Sequence, residues 1–538
     1  VRRALVTSLL WVAALVSVAT CGGRSELEVP PPLPPEPECD VDEDCPNFDS
    51  LCEPVRCVDP ERYDGELPEL PAGVPLPPRV CVVLEPVDCD DNDPCTVDEC
   101  DEDTGLCTYG PATFDLDGDG FNAPRPGTSP EDPDSCGEDC NDASADAYPG
   151  NTEVCDGVDN DCNGIVDDGA TFVPSTPATQ ISSAGVAPAG PGGLAFSGSG
   201  YMSIYTASMD GADMYQTALT PAGEKTEPIE QRFTFQNADS AGGPIVWVGD
   251  RYGVAWQDRR DGVYEAYFTL LKEDGQKATA DTRLSFAGSQ FSVNVDLTWN
   301  GTEFIVAWQD DRSGPFVIYG QRVSVDGVPI GSNIELSGTA SLNDESPSLA
   351  SGQQTVGMAF ANGAAGTQRV LFRTYEQTTL EPRTEPIQLS DDQTEAVYPQ
   401  AVWNEDRYMI VWYVRNSTNN AIFGATVDED GVVLTPATPL TQPGFASSRY
   451  PSLLPLGDRA LLVYSDDRDT GEYELYTRMI DAELAAITGE QRLTTAAFDS
   501  IYPITAFGAD GDVGVLFRDD RVNGDDHVFF TRLSCVTQ

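Results

Sequence analysis

Asp115, Asp117 and Asp119 alternate with Leu116 and Gly118 and are followed by Gly120, which places carboxylates at positions one, three and five of a tight loop and glycine at six. This is the opening arithmetic of a loop that wraps a hard divalent cation, because calcium takes six to eight oxygen ligands and the glycine permits the sharp turn. Asp159, Asp161 and Asn163 repeat the spacing, with Gly164 at six and Asp167 at nine. The twelfth positions, Pro126 and Ala170, lack the bidentate glutamate of a complete calcium-binding hand. The expected metal ligands are therefore Asp115, Asp117, Asp119, Asp159, Asp161, Asn163 and Asp167, and the expected ion is Ca2+. Backbone carbonyls, water or the nearby acids Asp139, Asp142, Glu153 and Asp156 would complete the shell. A disulfide knot rich in Asp, Gly and Asn that only tolerates cations is the alternative.

The run Asp139-Cys140-Asn141-Asp142, then Pro149-Gly150, Glu153 to Gly164 and Asp167-Asp168-Gly169 resembles the metal-binding repeat of the MopE family. Over residues 115–169 the resemblance implies an exported, metal-binding protein. The family's name implies copper, but the ligands here are hard oxygens and the single histidine, His527, is remote in sequence, which favours calcium.

Other chemistry is sparse. A formal charge of -59 opposes nucleic acid and anionic surfaces, so no nucleic-acid partner is expected. One histidine supplies no Ser/His/Asp arrangement, and a turn or surface role is the simpler reading of His527. No residue is nominated as catalytic. Asp-x-Arg recurs at Asp258/Arg260, Asp310/Arg312, Asp466/Arg468 and Asp519/Arg521, and its repetition argues for turn pairing rather than for one active centre. Phe360 and Trp412 are followed instead by Asn362-Gly363 and Val414-Arg415.

The elements that position these residues fall into a clear order. Arg2 and Arg3 precede a short apolar run that ends at Val18-Ala19-Thr20-Cys21. This resembles a bacterial lipoprotein signal, which implies a signal peptide over 1–20 and acylation of Cys21. Residues 21–38 form the anchor and a Pro-rich linker, extended because proline fixes φ and removes donors. Fifteen cysteines follow an export pattern: with Cys21 set aside, thirteen lie before residue 163 and one at 535. Full oxidation would give seven disulfides, one of them tying Cys535 back to the N-terminal part, with the pairing open. In the Cys-rich acidic region, 39–107, apolar residues are too scattered for a core and cross-links must replace it. The acidic stretch Cys89 to Cys107 reads as a solvated face around disulfides rather than as a zinc or calcium site. A MopE-like metal-binding region is expected over 108–170.

Beyond residue 170 β-branched and aromatic runs alternate with Asp/Gly turns. Tyr205, Trp256, Trp308, Phe360, Trp412, Tyr464 and Phe517 end comparable strands at separations of 51, 52, 52, 52, 52 and 53 residues. A unit of this size with four short strands is a propeller blade. The expected fold is all-β, a seven-bladed β-propeller over 171–538, closed by the 171–182 strand and preceded by the disulfide-rich, cation-binding region. The aromatic series reads as a core wedge. The composite expectation is an exported, lipid-anchored envelope or cell-surface interaction protein on the bacterial outer membrane or cell surface, with an envelope protein or glycan as partner. A propeller enzyme acting on extracellular glycans or small molecules and a purely structural envelope component are the alternatives.

Overall fold

A computed structural model describes residues 39–45, 51–52, 54–63, 77–93, 95–111, 115–125, 136–154, 158–164, 170–183 and 189–537, apart from 209–211, 228–229, 235–238, 287, 289–290, 339–342, 416–418 and 510. The expected signal peptide, Cys21 and the linker lie outside the described residues, as do Cys155, Asp156 and Asp167. The chain divides into two compact units, 1–113 and 114–538.

In the first unit two small antiparallel pairs form, Val55–Val58 with Val80–Val83 and Thr96–Cys100 with Cys107–Pro111. Its core is a cluster of Cys39, Cys45, Val55 and Cys57, so sulfur fills the place of aliphatic side chains. Disulfides Cys39–Cys57, Cys45–Cys81, Cys52–Cys100 and Cys89–Cys107 hold it. The acids between Cys89 and Cys107 serve the turn: Asp91 Oδ1 accepts from the Asp93 amide and the Thr96 hydroxyl, and Asp98 Oδ2 accepts from the Asp91 amide.

The second unit holds Cys140–Cys162 and seven antiparallel sheets. Cys95, Cys136 and Cys535 are also disulfide-bonded. The third sheet shows the plan. Ser292–Trp299 is innermost, Glu303–Asp310 and Val317–Ser324 follow, and Pro329–Glu335 is outermost. All seven period-marking aromatics sit on the second strand of their sheet and are fully buried, as a core wedge requires. The apolar layers run between neighbouring blades: Ile305, Ala307 and Ile318 of the third pack with Val356, Met358 and Phe360 of the fourth.

In the seventh blade Ser500–Phe507, Val513–Val522 and Asp525–Thr537 supply three strands. The fourth comes from the start of the unit: Ala170–Pro174 pairs with Leu533–Thr537, and Thr179–Gln180 with Phe529–Phe530. His527, expected at a turn or surface, is instead buried at this closure, its Nδ1 3.2 Å from Ser182 Oγ.

The Asp-x-Arg pairs are structural. Asp310 is buried; its carboxylate accepts from Ser292 Oγ at 3.0 Å, Trp308 Nε1 at 3.0 Å, the Arg312 amide at 2.9 Å and the Arg312 guanidinium at 2.7 and 2.8 Å. The aspartate thus satisfies a strand hydroxyl, the wedge indole and the turn together. The serine partner recurs as Ser240, Ser448 and Ser500. In the fourth blade the roles exchange, with Asn362 Nδ2 donating to Asp344 Oδ1 at 2.7 Å across the same strand pair. In the fifth, Ala396 and Val414 occupy the two positions, and the buried Trp412 Nε1 finds no acceptor among the described residues.

Candidate functional site

Two places bring chemistry-bearing residues together. The first is the acidic segment at the start of the second unit. Asp115 Oδ1 accepts from the Gly118 amide at 2.7 Å and its Oδ2 from Gly120 at 3.3 Å, so the first carboxylate of the loop folds the turn. Gly118 and Gly120 have φ of 85° and 99°, the left-handed region that glycine enters freely. Asp117, Asp119 and Asp139 each bring a carboxylate oxygen within 4.8 Å of the others, and Asp115, Asp117 and Asp142 form an adjoining group. Asp139 is fully buried, and one oxygen on each of Asp117, Asp119 and Asp139 is buried with no hydrogen-bond donor among the described residues. Burial first, and then the neighbouring charges of Asp119, Asp117 and Asp142, push the Asp139 carboxyl up. Desolvated, mutually repelling carboxylate oxygens are costly unless a cation lies between them.

The second loop gathers Glu153, Asp159 and Asp161. Asp159 Oδ2 accepts from Gly164 at 2.8 Å, repeating the turn of the first loop, and Glu153 Oε1 accepts from the Asp161 amide at 2.7 Å. Asn163 lies in the same loop with its Nδ2 3.0 Å from Asp161 Oδ2. Asp139, Asp142 and Glu153, named at the outset only as sources of further ligands, join the two groups. Cys140 and Cys162 approach Asp139 but are bonded to each other and offer no thiolate. The donor set is hard oxygen, which fits a hard divalent cation and not a soft one.

The second place is the mouth of the propeller's central channel. In the second to seventh blades the innermost strand begins with a bulge, for example between Val293 and Asp296 and between Val397 and Gln400. The bulged residue has φ > 0: Gly243 at 115°, Asn294 at 53°, Ser346 at 53°, Tyr398 at 51°, Tyr450 at 53° and Tyr502 at 57°. The extra residue turns its side chain out of the ladder and toward the mouth. A cavity of about 520 Å³ opens there, lined by Asn294, Ser346, Tyr398, Tyr450, Tyr502 and Arg518 among others.

The three tyrosines form a continuous arc. Tyr450 and Tyr502 have ring centroids 4.0 Å apart and their hydroxyls 3.1 Å apart, while Tyr398 meets Tyr450 edge to face at 5.8 Å. Tyr413, buried behind, stacks on Tyr398 at 5.6 Å with planes 10° apart. Arg518 lies over Tyr502 at 5.1 Å and pairs with Asp526 at 3.4 Å. Below the arc, polar side chains stitch adjacent blades: Asp296 Oδ2 accepts from the Leu349 amide at 2.6 Å, Ser348 Oγ from Ala401 at 3.0 Å, and Gln400 Oε1 from Leu453 at 2.6 Å. Burial pushes the Asp296 carboxyl up to about 6 against the lowering effect of its two backbone hydrogen bonds.

Sequence reasoning passed over this arc. Its signal is present as Tyr-Pro at 398–399, 450–451 and 502–503, on the same 52-residue period as the wedge aromatics.

The model of a metal-binding motif, Cu-binding MopE, matches residues 139–168. No curated protein matches the chain. Among solved structures, a protein of unknown function from Dyadobacter fermentans DSM 18053 is similar at 12% identity and a TM-score of 0.42, over 68% of this chain and 99% of its own. Phage phi92 endosialidase is similar at 10% identity and a TM-score of 0.44, over 68% of this chain and 70% of its own. The endo-arabinase of Bacteroides thetaiotaomicron VPI-5482 gives 9% and 0.31, over 46% and 96%.

Proposed function

We propose that this chain is an exported binding protein of the bacterial envelope or cell surface, anchored through a lipid on Cys21, in which calcium stabilises the 115–169 segment and the propeller mouth holds the ligand. The observation that carries the reading is the tyrosine arc. Tyr398, Tyr450 and Tyr502 keep bulky rings at positive φ, where Gly or Asn costs less, and they open onto a cavity of ligand size. Strain retained at a cavity mouth points to a use for the side chain.

A glycan-active enzyme is less well supported, because acid–base chemistry needs two groups poised on one reacting centre. Among the described residues Asp296 is the single carboxylate lining the cavity, and it is engaged with the Leu349 amide. Calcium, a hard cation, is favoured over soft metals such as copper by the oxygen-only donor set around Asp117, Asp119 and Asp139.

Hydrogen exchange of the full, disulfide-intact chain, with and without fractionated envelope glycans and proteins, tests the binding reading. Protection is expected at the strand starts 398–400, 450–452 and 502–504. Release of new reducing ends or other product from a protecting fraction would replace the binding reading with an enzymatic one. For the anchor, Cys21→Ser should abolish incorporation of labelled lipid; incorporation that persists would refute it.

A further inference from the structure

We propose that the mouth of the propeller is a site for a neutral carbohydrate, with a pyranose-type ring stacked against the exposed face of the tyrosine arc. The inference rests on the binding reading above and names its ligand class. Tyr398 is 48% exposed even though Tyr413 covers its far side, so a large flat apolar surface is presented to the cavity. A purely apolar ligand would leave the rest of the lining unsatisfied, because Asn294, Ser346, Ser348 and Gln400 share the same cavity with the phenolic hydroxyls. Aromatic faces bordered by amide and hydroxyl groups match a ligand with apolar ring faces and a polar rim, which describes a sugar ring.

Charge decides the kind of sugar. The chain carries -59 overall, so a polyanionic glycan would approach against a repulsive field. Among the described residues Arg518 is the one cationic residue lining the cavity, and Asp526 already pairs with it. Asp296 is the one acidic residue of the lining among the described residues. Such a surface neither attracts nor needs an ionic ligand.

The test separates ring recognition from a structural role of the arc through Tyr398→Asn. Asn294 occupies the matching position of the third blade at φ 53°, so asparagine suits this backbone and the variant should fold with unchanged or higher thermal stability. The full, disulfide-intact chain is titrated calorimetrically with neutral gluco-, xylo-, manno- and arabino-oligosaccharides, with oligogalacturonate and with a proline-rich peptide. At least one neutral oligosaccharide should bind one to one, and Tyr398→Asn should weaken it about tenfold or more. The proposal falls if oligogalacturonate binds more tightly than every neutral sugar, if only the peptide binds, if no oligosaccharide binds, or if Tyr398→Asn leaves the affinity unchanged. Should the sugar class fail while an envelope fraction still protects 398–400, 450–452 and 502–504 from exchange, the binding reading stands. Loss of both removes both.

Discussion

Asp296 and Asp139 show how one residue type is put to two uses. Asp139 is fully buried and Asp296 half-buried at the cavity wall, and each has its carboxyl pushed up, yet their surroundings differ. Asp296 stitches two blades in a place where the neighbouring blades use Ser348 and Gln400, so an acceptor is needed there and a charge is not. With a native pKa of about 6 against an ordinary 3.8, the folded state keeps a proton that the unfolded chain gives up between about pH 4 and 6. Stability from this group is therefore greatest at low pH and is lost as pH rises through about 6, by at most about 3 kcal/mol. Asp296→Asn keeps an acceptor for Leu349, so it should raise the melting temperature at pH 8 and leave it unchanged at pH 4; equal curves at both pH values would refute the account. Asp139, by contrast, sits among other acids with bare buried oxygens, and its charge is what a cation would use. Asp139→Asn should lower calcium affinity at least tenfold in calorimetric titration of the intact chain, and wild-type protein that gives no calcium heat would end the calcium reading. The alternation of Asp115, Asp117 and Asp119 was legible in the sequence because oxygen spacing along a loop is local information. The convergence of Asp139 on that loop was not, since it depends on how two distant turns fold together.

At the scale of the blade, the wedge aromatic and the aspartate two residues after it act as one device. Burial raises the Asp310 carboxyl, but hydrogen bonds from Arg312 and the Trp308 indole more than offset it and hold it below the usual range. Its contribution is present at neutral pH and is lost as pH falls through that lowered value. In the fifth blade the device is missing its acceptor, because Val414 stands where the second, third, sixth and seventh blades carry the aspartate. A buried indole donor without a partner costs free energy, whereas a satisfied one contributes it. Trp308→Phe should therefore destabilise by about 1–3 kcal/mol beyond the loss of ring volume, and Trp412→Phe should cost only the volume term. Chemical denaturation of the two variants reads the difference, and equal losses would refute it. The repeat of the wedge was legible because seven copies average out local accidents. The tyrosine arc carries the same period and is confined to the fifth, sixth and seventh blades; its meaning depended on bulges that send those rings into one cavity.

For the whole molecule the decisive contact is the one that makes a ring out of a chain. The outer strand of an internal blade closes a loop of a few residues, as between Val317–Ser324 and Pro329–Glu335. Ala170–Pro174 must instead meet Leu533–Thr537 across almost the whole unit. With loop entropy growing as the logarithm of length, this closure costs about 4 kcal/mol more than a local one. Phe172 is the main offset: it is 1% exposed and packs with Leu454, Val463 and Leu475 of the sixth blade and with Val515 and Phe517 of the seventh. Ile181 makes the matching contact on the other side, packing with Tyr205, Leu516 and Phe530. Phe172→Ala should cost about 3–5 kcal/mol and, because each blade borrows its hydrophobic faces from its neighbours, it should expose the first and seventh blades together. Hydrogen exchange should accordingly show early opening at both 201–208 and 525–533 in the variant, with the fourth blade at 355–362 still protected. Uniform opening of all seven blades would mean that the ring unfolds as one unit and that its closure is no weaker than its interior.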